Sequence, residues 1–102
     1  MKNTVMKYKV KYLPSLARDI YRISDALEEY PDKAMRLLQE MDEKLLKLED
    51  MPNMWPVYHA RPKYRKMVLE DHLLFYTIDE RRRVVKVYRI LYDRMDATQH
   101  LK

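Results

Sequence analysis

Polar and apolar residues alternate strictly from Met6 to Tyr12, with Tyr8, Val10 and Tyr12 on one side and Lys7, Lys9 and Lys11 on the other. A period of two is that of a half-buried strand. After Pro14-Ser15 the period lengthens: Leu16, Ile20, Ile23 and Leu27 recur at helical spacing, while Arg18, Asp19, Arg22, Asp25, Glu28 and Glu29 mostly fill the other face. Proline is compatible with the first turn of a helix, where its missing N–H would be unpaired anyway. The pattern predicts a helix over about 14–30. Tyr30-Pro31-Asp32 breaks it, and Asp32 is suited to cap a second helix that carries Ala34, Leu37, Leu38, Met41, Leu45 and Leu48 inward and ends near Asp50. Two amphipathic helices joined by a short break form an antiparallel hairpin sharing one buried face.

Residues 51–62 hold three of the five prolines and the single tryptophan, so regular structure is not expected there. Three strand-like runs follow, Tyr64–Glu70, His72–Ile78 and Val84–Leu91, separated by Asp71 and by residues 79–83. Separators this short imply antiparallel hairpins. The Asp-Glu-Arg-Arg turn has neither Gly nor Asn, which favours a type I-based loop over a two-residue primed turn. The order β-α-α-β-β-β predicts an α+β fold, with an antiparallel helix hairpin packed on one face of a four-stranded, mainly antiparallel sheet. At 102 residues the chain fits one domain spanning 1–102.

Composition removes several chemistries. With no cysteine there are no disulfides, thiolate metal sites or cysteine nucleophiles. With no glycine there is no phosphate-cradling Gly-rich loop and no dinucleotide fingerprint, so no nucleotide cofactor of those types is expected. His59 and His72 have no neighbouring ligands at metal spacing, and no metal is expected either. The start has no apolar run of signal-peptide length and no stretch is long enough to span a bilayer, which points to a soluble, cytoplasmic protein without a membrane partner.

The net charge of +5 is unevenly distributed. Residues 1–13 carry four lysines and no acid, residues 14–50 carry six basic and ten acidic residues, and residues 51–102 carry eleven and six. The basic charge lies outside the middle segment, where it suits nucleic acid or an acidic protein, or is simply a solvated lysine-rich surface.

The element order, the run His72-Leu-Leu-Phe-Tyr-Thr-Ile-Asp79, the tail Val87-Tyr-Arg-Ile-Leu-Tyr-Asp-Arg-Met-Asp96 and the closing His100-Leu101 together resemble the RelE/ParE toxins of type II toxin–antitoxin systems. The resemblance spans nearly the whole chain. It implies a growth-inhibiting toxin whose target is DNA gyrase if the chain is ParE-like, or ribosome-bound mRNA if it is RelE-like. A third reading is a degenerate member that binds only antitoxin or nucleic acid. It also implies a cognate antitoxin, with a disordered acidic segment folding over the basic surface.

Metal-free RNA cleavage needs a base, an acid and cations around the developing charge. By the resemblance, Arg94 falls on the arginine after the last strand of RelE-like toxins and His100 where their C-terminal Tyr or His sits. These two are the catalytic candidates if the chain is an endoribonuclease (mRNA interferase). Lys63, Arg65, Lys66, Arg89 and Tyr92 are the candidate contacts to target or nucleic acid. RelE-like enzymes place an arginine three residues before the third-strand tyrosine, and counting back from Tyr76 gives Leu73. That departure sets the chain nearer the ParE branch. Each candidate has an ordinary alternative: Arg94 paired with Asp93 or Asp96, His100 a frayed chain end, Trp55 closing the core beneath its loop, and the methionines of the second helix filling the core.

Overall fold

The computed structural model describes residues 7–101. It contains β1 (Lys9–Tyr12), α1 (Pro14–Ala26), α2 (Pro31–Lys47), β2 (Arg65–Leu69), β3 (His72–Asp79) and β4 (Val84–Tyr92), with single 3-10 turns at Pro52–Met54 and Ala97–Gln99. The order is the one the sequence patterns predict; Met6, the expected first residue of β1, lies outside the described residues. The α1 helix stops four residues earlier than its pattern. The residue before a proline is pushed out of the helical region, so the chain needs Leu27–Tyr30 to turn back, and Tyr30 N–H reaches Leu27 O at 2.8 Å. Asp32 does not cap α2. Tyr30 holds that position without a side-chain hydrogen bond and Pro31 opens the helix, leaving Asp32 in the first turn to complement the helix dipole.

The sheet order is β1-β4-β3-β2. The β2-β3-β4 meander is antiparallel, whereas β1 runs parallel to β4, from Lys9 beside Val84 to Tyr12 beside Val87. The sheet is therefore mixed, with two antiparallel seams and one parallel. Glu70 takes φ 51° in the two-residue link between β2 and β3. The four-residue link to β4 is closed by Asp79 Oδ1 accepting from Arg82 N–H at 3.1 Å, with Arg83 at φ 55°. These are left-handed positions taken without glycine, a conformation uncommon for such residues.

Leu16, Leu37, Met41, Leu45 and Leu48 of the helix layer pack on Met67, Leu69, Leu74, Tyr76, Val85, Val87 and Ile90 of the sheet, all nearly inaccessible. Trp55 packs against the edge of this core, closing it under the proline-rich loop. Of the α2 methionines, Met41 is buried and Met35 is exposed. A second, smaller cluster lies on the other sheet face, where Ala97 and Leu101 fold back over Tyr64, Phe75 and Leu91.

A bulge separates the two faces of β4. Phe75 pairs with Arg89 and Tyr76 with Val87, so Tyr88 is an extra residue. The insertion resets the alternation: Val85, Val87 and Ile90 face the helices, while Leu91 joins the outer cluster.

Candidate functional site

The end of β1 determines the local chemistry. Beyond Tyr12 the chain turns into α1, leaving the rest of the β4 edge without a strand partner. Buried backbone polar groups must be paired, and Leu13, at the cap of α1, and the first turns of that helix supply the partners. Leu13 N–H reaches Val87 O at 3.1 Å, Ser15 Oγ donates to Tyr88 O at 2.6 Å, and Asp19 Oδ2 accepts from Ile90 N–H at 3.0 Å. Residues 15 and 19 are one helical turn apart on the same face, so α1 acts as a side-chain substitute for the missing strand.

Asp19 is only 1% exposed and carries more than that one bond. Arg89 grips it along one edge of the guanidinium, Nε to Oδ2 at 2.7 Å and Nη2 to Oδ1 at 2.9 Å, and Arg22 Nη1 adds a contact at 3.0 Å. This forked geometry is the strong form of the Arg–carboxylate bond. The hydrogen bonds of Asp19 raise the pKa of Arg89 against the opposing effect of burial. The remaining branch, Nη1, donates to His100 O at 3.0 Å and ties the C-terminal turn to the sheet.

A groove runs beside this knot, lined by Arg18, Lys63, Tyr64, Tyr88, Arg89 and His100 among others. Lys63 Nζ sits 5.2 Å from the Tyr64 ring centre, and the Tyr64 and Tyr88 rings meet edge to face at 5.2 Å. His100 is held, not frayed: its N–H bonds to Ala97 O at 2.9 Å and its carbonyl takes Arg89. Asp96 Oδ1 caps the same turn by accepting from Thr98 N–H and Oγ1, which holds its carboxyl below the usual range. The groove thus gathers an imidazole, two exposed cations and two phenols.

The other candidates lie elsewhere. Arg94 is exposed, lines neither this groove nor the cleft described below, and among the described residues has no carboxylate within 4.0 Å, so neither Asp93 nor Asp96 pairs with it. Arg65 turns inward, donating Nη1 to Trp55 O at 2.6 Å and Asn53 O at 3.3 Å. Lys66 lies across the Tyr58 ring at 5.7 Å. Tyr92, 40% exposed, stands at the far end of β4. There it meets His72 edge to face at 5.8 Å, on the rim of a cleft of about 260 Å³ with Ile23, Leu27 and Met95. His72 is buried, with Nδ1 2.8 Å from Asp71 Oδ1, and Lys33 Nζ is 3.4 Å from Asp71 Oδ2. Burial works to raise the Asp71 pKa, but the His72 and Lys33 bonds outweigh it and hold the carboxyl below its usual range.

Sequence reasoning missed Ser15, Arg18 and Asp19. Asp19 was grouped with the polar face of α1, although at about 100° per residue it lies only about 40° from Ile23, on the flank of the apolar stripe. That flank position was the available signal. Among the described residues no three His, Asp or Glu side chains converge as a metal site would require, and no helix is long and apolar enough to cross a membrane.

The fold is similar to that in solved toxin structures. A chain of the chromosomal ParDE system of P. aeruginosa aligns with a TM-score of 0.68 at 20% identity, covering 83% of this chain and 95% of that one. A mutant of the E. coli toxin RelE in the free state gives 0.68 at 13%, covering 93% of each. The RelBE2 toxin–antitoxin complex of Mycobacterium tuberculosis contributes a chain at 0.63 and 18%, covering 84% and 98%. No curated protein matches in sequence. Residues 10–97 match the sequence family described as the ParE toxin of the type II toxin–antitoxin system parDE. The chain belongs to that family and is a toxin of a type II toxin–antitoxin system.

Proposed function

We propose that this toxin arrests growth by docking on DNA gyrase and not by cutting RNA. The observation that carries this reading is the environment of Leu73, the position where RNA-cleaving relatives are expected to hold an arginine. Leu73 packs against an outer-face cluster of Phe75, Leu91 and Leu101, so no guanidinium is available there to stabilise a cleaving phosphate. Two further facts support it. Arg89 is committed to Asp19, and Arg94 lies outside the groove that contains His100. In the cytoplasm such a toxin requires a cognate antitoxin, and the acidic segment expected of that partner complements the basic sheet side of this chain.

One observation favours the runner-up, a metal-independent mRNA interferase. His100 shares its groove with Arg18 and Lys63, a proton-transfer group beside phosphate-binding cations. A paired assay separates the two. Purified toxin should inhibit gyrase supercoiling and leave mRNA intact in a translation extract. Message cut within ribosomes, with cutting lost in His100→Ala and supercoiling untouched, overturns the gyrase reading.

A further inference from the structure

Three lysines stand together on the sheet face turned away from the helices. Along β1, Val10 packs on the core, so Lys9 and Lys11 project to the opposite side; along β4, Val85 and Val87 are buried, so Lys86 projects there too. The parallel register sets Lys11 directly beside Lys86, with Lys9 beside Val84 one step away. Like charges side by side on adjacent strands repel. Among the described residues none of the three has a carboxylate within 4.0 Å. Of the acids at the β3–β4 hairpin, Asp79 pairs with Arg82, and Glu80 accepts from the Tyr8 hydroxyl. The opposite side of the molecule exposes Asp25, Glu28, Glu29, Asp42 and Glu43 from the helix layer. A polyanion is therefore repelled from the helices and drawn to this sheet face.

We propose that the Lys9–Lys11–Lys86 face binds the phosphate backbone of duplex DNA. Lysine ammonium groups act as point charges on phosphate and need no fixed geometry. Single strands are held instead by open aromatic platforms. Here the rings of the outer face are closed on one another, Tyr58 against Phe75 and Tyr64 against Tyr88. The site is independent of the gyrase reading: it concerns contact with DNA itself, whichever enzyme the toxin acts on.

The test is fluorescence anisotropy of the full chain with a short labelled duplex of mixed sequence over a salt series. Lys9→Gln/Lys11→Gln/Lys86→Gln should weaken binding at least ~10-fold and flatten log K against log salt by about 0.9 per lysine, roughly 2.7 for the triple variant. Lys47→Gln, an exposed α2 lysine, should change neither. Circular dichroism establishes that each variant is folded. An unchanged slope in the triple variant overturns the proposal, as does an equal loss in Lys47→Gln. Tighter binding of single-stranded DNA with the same lysine dependence also overturns it. So does poly-glutamate displacing the duplex more effectively than unlabelled duplex does, since acidic protein would then be the preferred occupant of this face.

Discussion

Asp19→Ala is the most informative single change. Asp19 is 1% exposed and accepts from Arg89 twice, from Arg22 and from the Ile90 backbone. Its removal leaves a guanidinium whose side chain is 18% exposed and a buried N–H without their acceptor. Breaking a buried ion pair from one side costs about 3–5 kcal/mol; because Arg89 keeps some access to water and its bond to His100 O, the expected loss is about 3 kcal/mol. Domains of this kind are stable by only about 5–15 kcal/mol. With a urea slope near 1–1.5 kcal/mol/M, the unfolding midpoint should fall by about 2–3 M.

The pair of substitutions Asp19→Leu and Arg89→Met removes both charges together. It should be far less destabilising than the two single changes added, giving a coupling of about 2–3 kcal/mol in a double-mutant cycle. Urea titration monitored by circular dichroism supplies all four corners. A loss below about 1 kcal/mol in Asp19→Ala, or additive single changes, would refute the claim that this knot holds α1 on the open edge of β4. Growth arrest adds a second readout. If the double variant is stable and still toxic, Arg89 is structural; if it is stable and harmless, the target touches Arg89.

Three further outcomes follow from the same structure. Burial pushes the Tyr76 phenol up to about 12, so its protonated form belongs to the folded state. Its contribution, roughly 2–3 kcal/mol, is intact below pH 10 and is lost as pH rises from about 10 to 12; Tyr76→Phe should remove that alkaline step from the stability profile. The Asp71 carboxyl, held low in the fold, contributes stability above its unfolded pKa and loses it as pH falls through the folded value, so Asp71→Asn should flatten the acid limb of a thermal-melt series. Asp96→Ala removes the cap of the last turn and should raise amide exchange at His100 and Leu101 while leaving α2 unchanged, as read by NMR.

The features legible in the sequence were those written in local periods. Leu37, Met41 and Leu45 mark a helix by spacing alone, and the order of elements follows from such runs. Strand direction is not local: the alternation of Lys9 to Tyr12 is the same whether β1 runs parallel or antiparallel to β4. The bulge at Tyr88 was equally hidden, since regular alternation would have set Val87, Arg89 and Leu91 on one face. Arg65 and Arg89 read as free cations because their acceptors, the carbonyls of residues 53 and 55 and the carboxylate of Asp19, come near only in the folded chain. Lys63 and His100 do share a groove; the family resemblance singled out His100, whereas Lys63 was legible only as one of the basic residues at the start of the second strand.

Two of the arginines act as internal ties. Arginine, with a planar fork of donors, suits a fixed set of acceptors, and Arg65 and Arg89 occupy such sets inside the fold, holding the long loop and the C-terminal turn in place. Lys9, Lys11 and Lys63 are exposed, and Lys66 and Lys86 half-buried, with no such acceptor set among the described residues. A surface of flexible point charges attracts a polyanion at long range but does not clamp a phosphate in one geometry. Holding one phosphate in a single geometry is what in-line cleavage demands. Under the proposed docking mode the salt dependence of target binding should therefore lie with these lysines, and the anchoring of the long loop and of the C-terminal turn with Arg65 and Arg89.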